Sequence, residues 1–161
     1  MTDLSGSDLS ESTIRWANLE NTRFRNANLT KVALNGSGMS KELAELESQS
    51  CWRGITFEEA TMTNADLSNV RLPHATFSKA DLTGSNVMQA NLNDTSFAAA
   101  ILTKAGFALA EAPNSEFHKA DLRGAHFYRT DITGAHFKDV ETDDSTKWPE
   151  DYPPPVEPEG S

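Results

Sequence analysis

The chain has 161 residues, a formal net charge of −10 and a single cysteine, Cys51. One thiol excludes a disulfide within the chain and favours a reducing compartment. No apolar run is long enough to cross a bilayer, and the first residues, "MTDLSGSDLS", lack the basic and apolar regions of a secretory signal. The composition therefore predicts a cytoplasmic protein without membrane contact.

The first 39 residues carry a large apolar residue at every fifth position. A smaller residue, such as Ser7, Ala17 or Ala27, stands two positions before a large one. A gap of two puts both side chains on one face of an extended segment, and the following gap of three requires a corner. The spacing fits neither a helix nor a long strand, so it predicts a repeat of very short strands and corners. The large residues are Leu4, Leu9, Ile14, Leu19, Phe24, Leu29, Leu34 and Met39.

Residues 40–51, "SKELAELESQSC", interrupt this spacing. Ser40 is suited to cap a short helix, on which Leu43 and Leu46 share one side and glutamates occupy the other. Two interpretations stay open: a surface excursion packed on the coil, or a recognition element carried by a rigid scaffold. The second interpretation makes the following residues candidates for binding a partner: Lys41, Leu43, Leu46 and Trp52.

The five-residue spacing resumes at Phe57 and continues to Phe137, with Ala112 as its one small residue. If four units make one turn, residues twenty apart stack along the axis, with large side chains filling the interior. We therefore predict one solenoid of about six coils, continuous across the insertion and about 29 Å long at about 4.8 Å per coil. The core column would consist of Phe57, Phe77, Phe97, Phe117 and Phe137.

Residues 141–161 abandon the repeat and form a predicted acidic, proline-rich tail, separate from a repeat domain at residues 1–140. Its PPP run favours an extended polyproline conformation and a disordered segment. Two interpretations stay open here as well. In one, Trp148 and Tyr152 fold back and cap the last coil, as solenoid ends require. In the other, the tail and these aromatics dock onto a partner.

The charge is concentrated outside the repeats. Residues 139–161 hold eight acids and one base, residues 40–51 have a net charge of −2, and the remainder of the chain has a net charge of −1. A nearly neutral body with interspersed charges offers no basic stripe for phosphates, which disfavours direct nucleic-acid binding.

The repeat resembles the pentapeptide repeat family, whose unit is A(D/N)LXX. The resemblance covers about residues 2–140 and is carried by "ANLEN", "ANLTK", "ADLSN", "ADLTG", "ANLND" and "ADLRG". It implies a right-handed, four-sided parallel β-helix, in which Asp and Asn support local turns. It also suggests a bacterial source.

No residue pattern predicts catalysis, a metal site or a cofactor, so we expect a protein that is not an enzyme. The histidines, which lack metal-ligand spacing, are interpreted as surface residues, and Cys51 as structural or incidental. Trp16 follows a polar position and is expected to face solvent, where aromatics often mediate contacts. The histidines are His74, His118, His126 and His136.

These features favour a structural or adaptor protein that binds another protein through its rigid body, the 40–51 insertion and the tail. The alternative is a DNA-mimicking regulator of DNA gyrase, because some members of the family have that role. The nearly neutral body and a C-terminus unable to form the dimerising helix of that group disfavour the alternative. An uncapped N-terminal coil is expected either to pair weakly with a second copy or to be covered by a loop.

Overall fold

The computed structural model describes residues 2–19, 21–38 and 55–152. Over these ranges the chain winds as one solenoid. Two short strands, β1 (Thr2–Asp3) and β2 (Thr22–Arg23), pair in parallel, and the remaining pairing consists of isolated parallel bridges. Among these residues no helix is long and apolar enough to span a membrane.

The bridges set the length of a coil. They recur every five residues, and most of them join residues twenty apart, as in Thr56 with Thr76. Across the insertion the step is 33 residues, from Arg23 to Thr56, so the segment adds thirteen residues without breaking the coil. The expected continuity across residues 40–51 is therefore present. One column of paired residues has seven members, which is one coil more than we expected: Asp3, Arg23, Thr56, Thr76, Ser96, Glu116 and His136.

The interior is filled by stacked side chains. Rings twenty residues apart lie nearly parallel, with centroids 4.7 Å apart for Phe57 and Phe77 and 5.0 Å apart for Phe77 and Phe97. The column continues through Phe117 to Phe137, and Phe24 extends it below the insertion at 4.9 Å from Phe57. Burial of these rings supplies much of the hydrophobic stabilisation, at about 25 cal/mol per Å².

The backbone and the Asp or Asn of each unit explain why the A(D/N)LXX pattern makes this coil. The N–H of the large residue donates to the next coil, as Phe57 does to the carbonyl of Thr76 at 2.7 Å. The Asp or Asn side chain accepts the N–H two residues on, as Asp81 does from Thr83 at 3.0 Å. A unit with this Asp or Asn thereby satisfies a backbone N–H that would be costly to bury unpaired. The same side-chain contact is made by Asp3, Asp8, Asn28, Asp66, Asn86, Asn91, Asp121 and Asp131.

Each corner turns through a left-handed residue, two positions after the large one. The φ angle is 59° at Glu59 and 56° at Asn64. The turn closes when the N–H of the next small residue donates to the carbonyl of the large one, as from Ala60 to Phe57 at 3.0 Å. This conformation costs about 1–2 kcal/mol for a non-glycine residue, and the cross-coil hydrogen bonds offset that cost.

The coil extends beyond the end of the sequence repeat. Residue 140 is where the pattern stops, but Glu141 pairs with Asp121 and Lys147 pairs with His126. The first part of the predicted tail, residues 141–152, therefore continues the solenoid as part of its last coil and is not a separate segment. It holds one extra residue between these bridges, which displaces its aromatic residue from the five-residue spacing and hides it in the sequence.

Candidate interaction surfaces

Trp16 is the most exposed large apolar side chain among the described residues, with 73% of its surface accessible. It occupies the left-handed position of its corner, with a φ of 57°. Its six-membered ring lies against Gly36, where a Cβ would come within 2.2 Å of the ring. The neighbouring Arg15 donates from Nε to Oδ1 of Asn35 at 2.9 Å. The expectation that Trp16 faces solvent therefore agrees with the structure.

Trp148 and Tyr152 lie at the last coil. The Trp148 ring is parallel to Phe127, with centroids 5.3 Å apart, and meets Phe137 edge-on at 5.1 Å. The Tyr152 ring is 6.1 Å from Phe137. Both side chains are half-buried. Of the two interpretations of these aromatics, the geometry favours the cap over the exposed docking peptide.

Four further candidates lie outside the described residues: Lys41, Leu43, Leu46 and Trp52. The helix expected within residues 40–51 and the proline-rich residues 153–161 lie outside them too. Their role as partner-binding elements stays a prediction.

An open cleft of about 550 Å³ adjoins the last coil. Its walls include Arg129, Ile132 and Tyr152, together with the carboxylates of Asp131 and Asp151. Across the part of the chain that the structure describes, no group of three or more His, Cys, Asp or Glu side chains could hold a metal ion.

Three of the four histidines pair with a carboxylate one coil away. His136 Nδ1 lies 2.8 Å from Glu116 Oε1, and His118 Nδ1 lies 3.7 Å from Asp139 Oδ2. His74 makes the corresponding contact, and all three side chains are substantially exposed. Surface ion pairs of this kind contribute little stability individually. The interpretation as surface residues agrees with these positions.

A stronger charged cluster links the last two coils. Arg123 donates from Nε to Oδ1 of Asp121 at 2.8 Å, and its Nη2 lies 3.7 Å from Glu141. The hydrogen bond from Arg123 holds the pKa of the Asp121 carboxyl below its ordinary value, and in turn Asp121 raises the pKa of Arg123. Only the exposed pair of Arg123 with Glu141 reaches the last coil, and such a pair adds little stability.

One surface feature was missed by sequence analysis. Met88, Leu109 and Tyr128 are exposed and lie at the same corner of successive coils. They occupy the two positions of the repeat that we treated as variable, so the five-residue pattern did not select them. The twenty-residue spacing from Met88 through Ala108 to Tyr128 was the available signal.

The family model for pentapeptide repeats matches eight copies, over residues 2–40, 50–87 and 90–139. Similar solved structures include a trypsin-treated form of QnrB1, a plasmid-mediated fluoroquinolone resistance protein. It is 12% identical over 89% of this chain and 90% of that chain, with a TM-score of 0.46. A pentapeptide repeat protein of the Arabidopsis thaliana thylakoid lumen is 28% identical. The likeness covers 80% of this chain and 67% of that chain, with a TM-score of 0.33.

HetL, a protein involved in heterocyst differentiation regulation in the cyanobacterium Nostoc sp. strain PCC 7120, is 23% identical. The likeness covers 87% of this chain and 82% of that chain, with a TM-score of 0.22. No curated protein matches the sequence. Because the family model matches most of its length, in the same units that build the coils, the chain belongs to the pentapeptide repeat family.

Proposed function

We propose that this protein is a non-enzymatic adaptor whose rigid solenoid presents a binding surface to another protein, with Trp16 as a main contact. The proposal rests mainly on the observation that Trp16 is 73% exposed and has a left-handed backbone conformation. A bulky residue is disfavoured at such a φ. Because most of the indole stays in contact with water, it contributes little hydrophobic stabilisation to the fold. Packing within the chain therefore gives little reason for tryptophan here, whereas contact with a partner would.

The position of Trp16 also supports a composite surface. Its ring covers Gly36, and the insertion begins four residues after Gly36 in the sequence, at residue 40. In this proposal Trp16 and the insertion engage the same partner, and the proline-rich residues 153–161 provide a second contact.

A stiff scaffold suits this role. We propose that the solenoid is right-handed and four-sided, which the four bridges per coil and the preferences of L-amino acids support.

We place the protein in a bacterial cytoplasm, consistent with its single cysteine. Weak pairing through the first coil also stays a proposal, and the half-buried Leu4, Leu9 and Ile14 support it.

Affinity capture from the source lysate with mass spectrometry tests the adaptor function. The baits are the intact protein, a deletion of residues 41–50, a truncation after residue 152 and Trp16→Asn. The truncation preserves residues 141–152 because they form the last coil. Asn is common at left-handed corners, so Trp16→Asn should keep the fold, and Lys119→Asn at another left-handed corner is the matched control.

A partner that is lost with Trp16→Asn or with the deletion, and retained by Lys119→Asn, supports the adaptor function. Capture of DNA gyrase subunits equally by every bait would support the DNA-mimic alternative instead and overturn the proposal. Equal capture of any other partner by all baits would show that binding requires neither Trp16, nor residues 41–50, nor the residues after 152.

A further inference from the structure

Hydrogen bonds between successive coils follow one pattern on the side that contains Asp131. The N–H of Asp131 donates to the carbonyl of Ala110 at 2.9 Å, and its carbonyl accepts from the N–H of Ala112 at 2.8 Å. The N–H of Asn114 donates to the carbonyl of Thr133 at 2.9 Å. A unit on this side therefore offers one carbonyl and two N–H groups to the coil that follows.

The last unit on this side, residues 130–134, offers the same three groups at an open edge. They are the carbonyl of Thr130 and the N–H groups of Ile132 and Gly134. Among the described residues, no hydrogen bond reaches any of the three, and no bridge joins this unit to a later one. A row of unpaired backbone groups at the edge of a sheet is a template for one more strand.

The adjoining residues of this chain are unsuited to supply that strand. The chain makes a turn at Tyr152, whose N–H donates to the carbonyl of Pro149 at 3.1 Å. The residues that follow in the sequence, 153–155, are all proline. Proline has no N–H to donate to the carbonyl of Thr130, and it is excluded from paired strands for this reason. The pairing groups must therefore come from elsewhere.

A cleft of about 550 Å³ lies at this edge. Residues 129–133 line it on the side of the unpaired groups, and residues 149–152 line it where the last coil ends. Its volume is within the range of roughly 300–1,000 Å³ that is typical of binding sites. We call this cleft, together with the open edge of residues 130–134, the notch. It provides space for a short extended segment beside the groups that would pair with it.

The walls of the notch are acidic. They carry the carboxylates of Asp131, Glu150 and Asp151, and one basic side chain, that of Arg129. Among the described residues, no ion pair includes any of these three carboxylates. A basic segment therefore complements the notch, whereas an acidic one is repelled. The remaining residues of this chain, 156–161, carry two glutamates and no base.

We propose that the notch binds an extended, basic segment of another protein as an added parallel strand. An N–H of the segment donates to the carbonyl of Thr130, and its carbonyls accept from the N–H groups of Ile132 and Gly134. The residue that stacks on Asp131 is Lys or Arg. This inference goes beyond the adaptor function proposed above, because the notch requires neither Trp16 nor the insertion.

Amide NMR of the full chain, titrated with a synthetic peptide, provides the first test. The probe is acetylated and amidated Ala-Lys-Leu-Lys-Gly, which is built like one repeat unit with its first lysine at the bridge position. We expect saturable shifts of the Ile132 and Gly134 amide resonances. Methylation of the backbone nitrogen of the first lysine should weaken binding about tenfold or more, because it removes the donor to the carbonyl of Thr130.

A substitution at the bridge position tests the charge. Asp131→Asn should weaken binding of the probe about threefold to fivefold and leave binding of Ala-Gln-Leu-Gln-Gly unchanged. Asn keeps the acceptor for the N–H of Thr133, which lies 2.9 Å from Oδ1. Asp66→Asn is the matched control, because Asp66 accepts the N–H of Ser68 in the same way at 3.1 Å. It should leave binding of both peptides unchanged.

Four results would each overturn the proposal. The first is that the probe leaves the Ile132 and Gly134 resonances in place, and the second is that the methylated peptide binds equally well. The third is that truncation after residue 152 shifts these resonances without peptide, because the chain's own last residues would then occupy the notch. The fourth is a shift that depends on protein concentration alone, which would make a second copy the occupant.

Discussion

Among the described residues, most buried hydroxyl groups stand at the small position of the repeat, where many other units carry alanine. Ser115 Oγ donates to the carbonyl of Leu92 at 2.8 Å, and Thr130 Oγ1 donates to that of Phe107 at 2.6 Å. Each carbonyl belongs to the preceding coil, so one hydroxyl links two coils. Ser85 is equally buried, but its Oγ has no hydrogen-bond partner among the described residues.

This difference predicts opposite effects of the same substitution. Ser85→Ala should stabilise the protein by about 1 kcal/mol, because it removes a buried polar group without a partner. Ser115→Ala should destabilise it by about 1–2 kcal/mol, because it breaks a buried hydrogen bond. Urea unfolding followed by circular dichroism measures both. Destabilisation by Ser85→Ala comparable to that of Ser115→Ala would show that the Ser85 hydroxyl does have a partner.

Glycine is required at some corners and not at others. Gly36 has a φ of 72° and lies under the Trp16 ring, whereas Gly106 has open space around the position of a Cβ and lacks a left-handed φ. Gly36→Ala should cost about 1–2 kcal/mol and displace the indole. Gly106→Ala should be neutral or slightly stabilising, by up to about 1 kcal/mol. Thermal unfolding distinguishes the two variants, and equal destabilisation would contradict this account.

At the scale of the structural element, the turn that starts the last coil depends on one carboxylate. Asp143 Oδ1 accepts hydrogen bonds from the Ser145 hydroxyl at 2.6 Å, from the Ser145 and Thr146 N–H groups and from the Gly124 N–H at 3.1 Å. The last of these links the turn to the preceding coil. Together they accommodate the extra residue and align Trp148 with its aromatic column.

The Asp143 turn predicts an acid-sensitive last coil. The hydrogen bond from the Ser145 side chain, with further bonds from Gly124 and Thr146, holds the pKa of Asp143 below its ordinary value of 3.8. A lowered folded-state pKa means that the ionised group stabilises the fold above about pH 4, and that this contribution is lost as the pH falls through the folded-state pKa. Near-ultraviolet circular dichroism of the Trp148 stack should therefore decline below pH 4.

Asp143→Asn separates this group from the other carboxylates. It retains an acceptor oxygen but does not titrate, so the difference in stability between it and the parent chain should shrink as the pH falls below about 4. Asp143→Ala removes the acceptor and should loosen the last coil at every pH. A constant difference between the parent chain and Asp143→Asn from pH 7 to pH 2 would contradict the assignment.

At the scale of the whole molecule, aromatic columns couple the coils. Each ring in the interior contacts rings above and below it, so the loss of a terminal coil uncovers the next rings. Truncation after residue 140 removes Trp148, which lies against Phe127 and Phe137. We expect it to lower the free energy of unfolding by at least about 2 kcal/mol and to promote aggregation. Truncation after residue 152 is the control and should preserve stability.

The same coupling explains which parts of the structure could be predicted from the sequence. A large apolar residue recurs at every fifth position of each run except at Ala112, so the coil, its twenty-residue period and the phenylalanine column followed from spacing alone. The last coil did not, because its extra residue moves Trp148 out of the pattern. The exposed side chains of Met88, Leu109 and Tyr128 were also missed, because they occupy variable positions of the repeat and only successive coils show that they share a corner.

The twenty-residue register also restricts how the molecule can change in length. Removal of residues 77–96 would bring Phe97 to the place of Phe77, above Phe57, and leave every column intact. Removal of residues 77–91 would bring Leu92 there instead and rotate all later side chains by a quarter of a coil. Duplications and deletions are therefore tolerated in whole coils, so that over evolution this rod would grow or shrink in steps of about 4.8 Å.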